Sequence, residues 1–220
     1  MPTRLLNGIL CIVAAFGVIA QFVMTGTGPA DPAEPDPGVL VSLIRFFSFF
    51  TILSNLLVVI SSVPPALGRE PGYVQRVLRL SALVGIIITG VVHWFLLRPD
   101  ADLSGFTAVV DAITHVVVPI LTVLVWLTVG PRGLISRAVV LGSFLYPVLY
   151  AGWTLAHGAL TDWYPYPFID VPTVGYPQAL TMAAIILGSF ALLAVLAWLL
   201  DLALLRLLRT RQEPRGESSI

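Results

Sequence analysis

Six runs of about twenty or more apolar residues, set apart by short connectors that collect the charges, prolines and glycines, dominate what this chain can fold into. In a hydrocarbon core about 30 Å thick each backbone polar group must find its partner inside the spanning segment, and a helix of roughly 20 residues achieves this. The runs fall at 5–24, 39–63, 77–97, 107–129, 138–157 and 177–205. They predict an all-α polytopic membrane protein: six transmembrane helices in a compact bundle over 1–205, followed by a basic tail over 206–220 that is expected to be disordered. The first run is too long for the apolar region of a signal peptide and reads as an uncleaved helix.

Composition narrows the function classes. With 57% hydrophobic and 11% charged residues, twelve basic side chains balancing twelve acidic ones, the chain has no basic surface for nucleic acid. All twelve basic residues are arginine, and the absence of lysine excludes a retinal Schiff base, a pyridoxal-phosphate aldimine and a Walker-type phosphate loop. Cys11 is the only cysteine, so no intrachain disulfide or thiolate-rich metal site can form. The three histidines stand on three different runs with no pair at helical spacing, so neither a metal nor a cofactor is expected.

Arginine placement predicts orientation. Arg4, then Arg69, Arg76 and Arg79, then Arg132 and Arg137, then Arg206, Arg209, Arg211 and Arg215 fall on one side of a six-span topology. The other side carries Asp31, Glu34, Asp36, Asp100, Asp102, Asp162 and Asp170, with Arg98 the one loop arginine there. By the positive-inside rule both termini are cytoplasmic, and the proline-rich stretch 29–37 is an extended external loop. All-arginine, alanine-rich usage suggests a GC-rich bacterial genome, so the expected compartment is the bacterial plasma membrane.

Polar residues inside apolar runs are costly and mark candidate sites. In the second run Arg45, Ser48, Thr51 and Asn55 recur at three and four residues, which places them on one stripe. In the fourth, Asp111, Thr114 and His115 share a face. Ser48 and His115 lie eight or nine residues from the same boundary, about 12 to 14 Å deep at 1.5 Å per residue, so they are expected to meet. Arg45 and Asp111 are at similar depth, and pairing them relieves the cost of burying either charge alone. His93 from the third run and Tyr146, Tyr150, Trp153 and His157 from the fifth join the same half of the bundle, beneath an aromatic loop containing Trp163 and Tyr166. Singly, these residues also fit duller roles: hydroxyls bonded back to their own helix, headgroup anchors, and helix bends at Pro119 and Pro147.

Three stretches resemble the androgen-induced membrane hydrolases, the six-helix family that includes the androgen-dependent TFPI-regulating protein and bacterial relatives. They are Arg45-Phe46-Phe47-Ser48-Phe49-Phe50-Thr51 with Asn55, Asp111-Ala112-Ile113-Thr114-His115 with Pro119, and Trp153 through His157 to Trp163 and Tyr166-Pro167-Phe168-Ile169-Asp170. The resemblance implies hydrolysis of a lipid or fatty-acid ester by a helix-borne threonine supported by a histidine. The family's spacing from a basic residue to its nucleophile falls on Arg45 and Ser48, with serine in place of threonine, and Thr51 one turn on is the alternative counterpart. Asp111 stands where the animal proteins carry asparagine, and Pro119 comes one residue earlier than in their pattern.

The residues alone allow the same chemistry. An oxygen nucleophile needs a base, and the base needs an orienting group. Ser48 as nucleophile, His115 as base and Asp111 as orienting group supply these, with Thr51 the alternative nucleophile that the resemblance implies; Arg45 or Asn55 is the candidate oxyanion donor, and His93, Tyr150, Trp153, His157 and Tyr166 line the pocket. The rival expectation is a non-enzymatic membrane protein, either a structural subunit or a small proton-linked transporter. The halves show no convincing internal repeat, which weakens transport.

Overall fold

The computed structural model describes residues 1–27, 37–98 and 103–212. The expectations for residues 29–36, for Asp100 and Asp102, and for the tail beyond 212 lie outside the described residues. Nine helices are described: α1 (Pro2–Thr27), α2 (Gly38–Phe47), α3 (Phe50–Ala66), α4 (Tyr73–Val92), α5 (Gly105–Ala112), α6 (Val118–Val129), α7 (Arg137–Ser143), α8 (Leu145–Thr161) and α9 (Val171–Gln212). Among the described residues there is no strand.

These helices supply five spans, or the expected six when a bent pair is counted as one span. Five are long and apolar enough to cross a bilayer alone: Pro2–Thr25, Tyr73–Leu97, Gly105–Val129, Arg137–Thr161 and Val171–Thr210; the sixth is the pair α2 and α3, bent by 70°. The chain is therefore a multi-pass helical membrane protein. The last helix runs past the expected boundary at 205 to Gln212, so the start of the basic segment is helical.

α4 occupies the middle of the bundle, where Leu80, Ser81, Ala82, Leu83, Val84, Gly85 and Ile86 are all buried in succession. One of its faces packs with Leu10 and Ala14 of α1, Val58 of α3 and Val118 and Val125 of α6. The opposite face packs with Phe50, Val139, Phe190 of α9 and the loop residues Tyr166 and Ile169. Close approach needs small residues where helices cross. A Cβ placed on Gly90 would stand 3.2 Å from the His115 carbonyl oxygen, so glycine there lets α4 lie against the helix that carries His115.

Three departures from straight helix build the site. The second span breaks at Ser48–Phe49, where Phe49 is extended (φ −79, ψ 125). The third span widens over His93–Leu97, and the fourth over Ile113–Val117, into π turns in which Arg98 and Val118 bond the carbonyls of His93 and Ile113 five residues back. Pro119 follows the second π turn and lacks the N–H that would bond the His115 carbonyl in a regular helix. Such wide turns recur at functional sites.

Candidate functional site

The break in the second span sorts its polar residues into two groups, correcting the expected single stripe. Ser48 turns toward α8: its hydroxyl donates to the Ile44 carbonyl at 2.7 Å and accepts from Trp153 Nε1 at 2.9 Å, while its carbonyl accepts from Tyr150 at 3.1 Å. Thr51 turns the other way, toward α5 and α6. The expected meeting of Ser48 with His115 is therefore replaced by one of Thr51 with His115, Oγ1 to Nε2 at 3.2 Å.

Broken backbone inside an apolar span survives only where other groups satisfy it. Three tyrosines do this here. Tyr150 takes the Ser48 carbonyl, Tyr146 donates to the Phe50 carbonyl at 3.4 Å, and the Tyr166 hydroxyl accepts the Thr51 N–H at 3.3 Å, capping the first turn of α3. The Tyr166 oxygen also lies 3.5 Å from Thr51 Oγ1. Burial pushes the Tyr166 phenol above its ordinary value, so the hydroxyl keeps its proton and, having accepted from the backbone, has that proton to donate.

His115 is presented by the π turn of the fourth span with its Nδ1 2.8 Å from Asp111 Oδ1, 3.1 Å from the Asp111 carbonyl and 3.2 Å from Thr114 Oγ1. A nitrogen facing a carboxylate and a carbonyl is the one that carries the proton, which leaves the Nε2 lone pair toward the Thr51 hydroxyl. The second Asp111 oxygen is held by His93 Nε2 at 3.2 Å. His93 and His115 stack, centroids 4.0 Å apart and planes 13° from parallel. The expected Arg45–Asp111 ion pair is thus not the arrangement formed: both Asp111 oxygens meet imidazoles, and the Arg45 guanidinium lies over the Trp163 ring at 5.1 Å.

Asn55 is fully buried and pins α3 to the π turn, its Nδ2 donating to the carbonyls of Thr51 at 2.9 Å and Thr114 at 3.2 Å. With both amide hydrogens used on backbone, Asn55 is a brace, and neither it nor Arg45 is aimed as an oxyanion donor. Trp153 and His157 stack on each other at 5.3 Å, with the His157 ring edge-on to Trp163 at 5.8 Å. They belong to the Ser48 side and the loop, away from the Thr51–His115–Asp111 line.

Residues able to hold a metal do converge, although none was expected. Ligand atoms of His93, Asp111 and His115 lie within 4.8 Å of one another, a set of two imidazoles and one carboxylate that suits a divalent transition ion. The face-to-face rings already bond the carboxylate, so the cluster is satisfied internally. Sequence reasoning also passed over Thr89, a buried hydroxyl one turn before His93; spacing of four on α4 was the signal that could have found it.

No family model, curated protein or solved structure matches the chain. Fold and site together define a multi-pass helical membrane protein whose bundle holds a line of hydroxyl, imidazole and carboxylate at a broken helix.

Proposed function

We propose that this chain is an intramembrane ester hydrolase in which Thr51 is the nucleophile, His115 the general base and Asp111 the group that orients and charges the base. One observation carries the reading: Thr51 Oγ1 lies 3.2 Å from His115 Nε2 while His115 Nδ1 lies 2.8 Å from Asp111 Oδ1, the relay an unactivated hydroxyl needs. Thr51 Oγ adds to an ester carbonyl as its proton passes to Nε2. The same proton then leaves with the alcohol, and water, deprotonated by His115, frees the acid from Thr51. Tyr166 holds its hydroxyl 3.5 Å from Oγ1 and serves as donor to the developing oxyanion.

The resemblance to the androgen-induced membrane hydrolases supports the same assignment once Thr51, a threonine as in the animal proteins, is taken as the counterpart in place of Ser48. The substrate is a lipid or fatty-acid ester taken from the bilayer, and the membrane is the bacterial plasma membrane. Arginine placement puts the site in the outer leaflet with both termini inside; a cysteine at Leu160 in a Cys11→Ala background is expected to react with an impermeant thiol reagent applied from outside.

The decisive test is whether an alkyl fluorophosphonate forms an adduct with the purified full chain, and where. An adduct on Thr51 that vanishes in His115→Ala supports the reading. An adduct on Ser48 moves the nucleophile, and no adduct with no ester cleaved hands the site to a structural or proton-carrying role.

A further inference from the structure

Two spaces of different size lie at the two residues that share the Thr51–His115 hydrogen bond, one lined by Thr51 and the other by His115. Inside the bundle, Thr51 shares a cavity of about 40 Å³ with Thr89, Tyr150, Tyr166, Phe168 and Ile186. At about 10 to 15 Å³ for each water-sized group, that is room for roughly three or four heavy atoms. On the outer surface of α4 and α6, His115 stands at a groove of about 430 Å³ lined by Gly90, Trp94, Pro119, Ile120 and Leu124. Thr51 lines the cavity and not the groove; His115 lines the groove and not the cavity. A third apolar groove, beside Phe47 and Trp153, reaches neither reacting residue.

Thr89 stands in the wall of this largely apolar cavity with its hydroxyl unpaired. Thr114, Thr122, Thr128 and Thr181 each donate to the carbonyl four residues earlier, as threonines in apolar helices usually do. Thr89 is 4% exposed and its Oγ1 has no partner, although it lines the cavity with Thr51. Leaving a buried hydroxyl unpaired is expensive, and the ester carbonyl oxygen of a bound acyl group is an acceptor of the right kind.

Acyl transfer fixes which end of an ester goes where. The acyl carbon must bond Thr51 Oγ, and the departing alcohol must receive its proton from His115 Nε2. Resting on the hydrolase reading above, we infer that the substrate is an ester of a compact acyl group, acetyl or propanoyl in size, with a long-chain alcohol: the acyl group enters the Thr51–Thr89 cavity and the alkyl chain lies in the lipid-facing groove beyond His115. Thr51 takes the acyl group, the alkyl–oxygen leaving group recovers the Thr51 proton through His115, and the freed alcohol is already in the bilayer. Water then cleaves the Thr51 ester, so that ester plus water gives a short acid and a long alcohol.

The test uses two isomers that differ only in the direction of the ester, hexadecyl acetate and ethyl hexadecanoate, with the full chain in lipid nanodiscs. Hexadecyl acetate is expected to show a kcat/KM at least about tenfold higher, the scale on which a pocket rejects groups too large for it. Thr89→Val, which keeps the shape and removes the hydroxyl, is expected to lower kcat on hexadecyl acetate by about 10² with the thermal midpoint unchanged or raised. Ile186→Ala enlarges the cavity and is expected to raise turnover of hexadecyl hexanoate relative to the acetate. Equal use of the isomers, or preference for ethyl hexadecanoate, overturns the inference and leaves the hydrolase standing. Turnover of neither also overturns it, and the fluorophosphonate adduct on Thr51 then decides separately whether the hydrolase reading falls too.

Discussion

Asp111→Asn removes a charge while keeping the side chain's size, and its expected cost follows from the geometry. In the resting site the Asp111 carboxylate accepts from His115 Nδ1 at 2.8 Å and from His93 Nε2 at 3.2 Å, one imidazole to each oxygen. When Thr51 gives up its proton, His115 becomes an imidazolium beside that carboxylate. With charge centres about 4 Å apart and an effective dielectric of about 20, the attraction is about 4 kcal/mol, which the neutral amide forfeits. At 1.36 kcal/mol per decade this is a fall in kcat of about 10³. The resting fold is expected to stay intact, because the change removes a partly exposed charge and the residue-111 backbone carbonyl and Thr114 Oγ1 at 3.1 and 3.2 Å still hold His115 Nδ1. Turnover of hexadecyl acetate measured alongside thermal unfolding in detergent separates the two effects. A variant that keeps kcat within tenfold of the parent, or one that loses activity only in step with its folded fraction, refutes the role given to Asp111.

Other outcomes follow from the same contacts. Thr51→Ala, His115→Ala and the double variant are each expected to lower ester hydrolysis by a similar factor, on the order of 10³, since the pair acts as a unit, whereas Thr51→Ser retains measurable turnover. Ser48→Ala removes the acceptor of Trp153 and is expected to cost roughly 0.6 kcal/mol of stability, the average for such bonds in membranes, with kcat unchanged; loss of activity there in a stable variant contradicts the geometry. Tyr166→Phe keeps the ring stacked on Phe168 at 5.2 Å but uncaps the Thr51 N–H, so kcat is expected to fall by about 10² alongside a loss of about 1 kcal/mol or more; unchanged kinetics removes Tyr166 from the mechanism. Dialysis of the pure protein against a chelator is expected to leave activity intact, and added zinc ion to inhibit by capturing His93, Asp111 and His115; chelator-sensitive turnover restored by zinc replaces the threonine mechanism with a metal-assisted one.

The spans were legible because apolar length is a one-dimensional property: five of the runs gave helices of the right length and the second gave a bent pair. Residues of the site were legible for the same reason: Thr51, Asp111 and His115 are costly inside a bilayer and attract attention singly. Their pairing was harder. Depth along an unbroken helix favoured Ser48, but nothing local in Arg45-Phe46-Phe47-Ser48-Phe49-Phe50-Thr51 announces a break, for it holds neither proline nor glycine. The break rests on hydroxyls of Tyr146, Tyr150 and Tyr166, distant in sequence by about a hundred residues, and a pattern confined to one helix cannot register it. The Arg45–Asp111 expectation failed similarly. Matching charges by depth ignored which way each side chain turns, and Arg45 turns to Trp163 while the two histidines reach the carboxylate.

A regular helix is a poor place for a nucleophile. It spends its backbone N–H groups on its own carbonyls and leaves a threonine hydroxyl to bond back to the turn before, as Thr114 and Thr122 do. Ending α2 at Phe47 and restarting at Phe50 places Thr51 in the first turn of a helix, where the carbonyl four residues earlier belongs to another segment 70° away in direction. Its hydroxyl is thereby free for His115, and its N–H is free for Tyr166. The π turns do the corresponding work on the facing helices, carrying His93 and His115 on wide turns whose rings stack over one carboxylate. Each irregularity alone would be a cost in hydrocarbon. Their convergence on the same few side chains is what a site needs and what a bundle held only by packing does not.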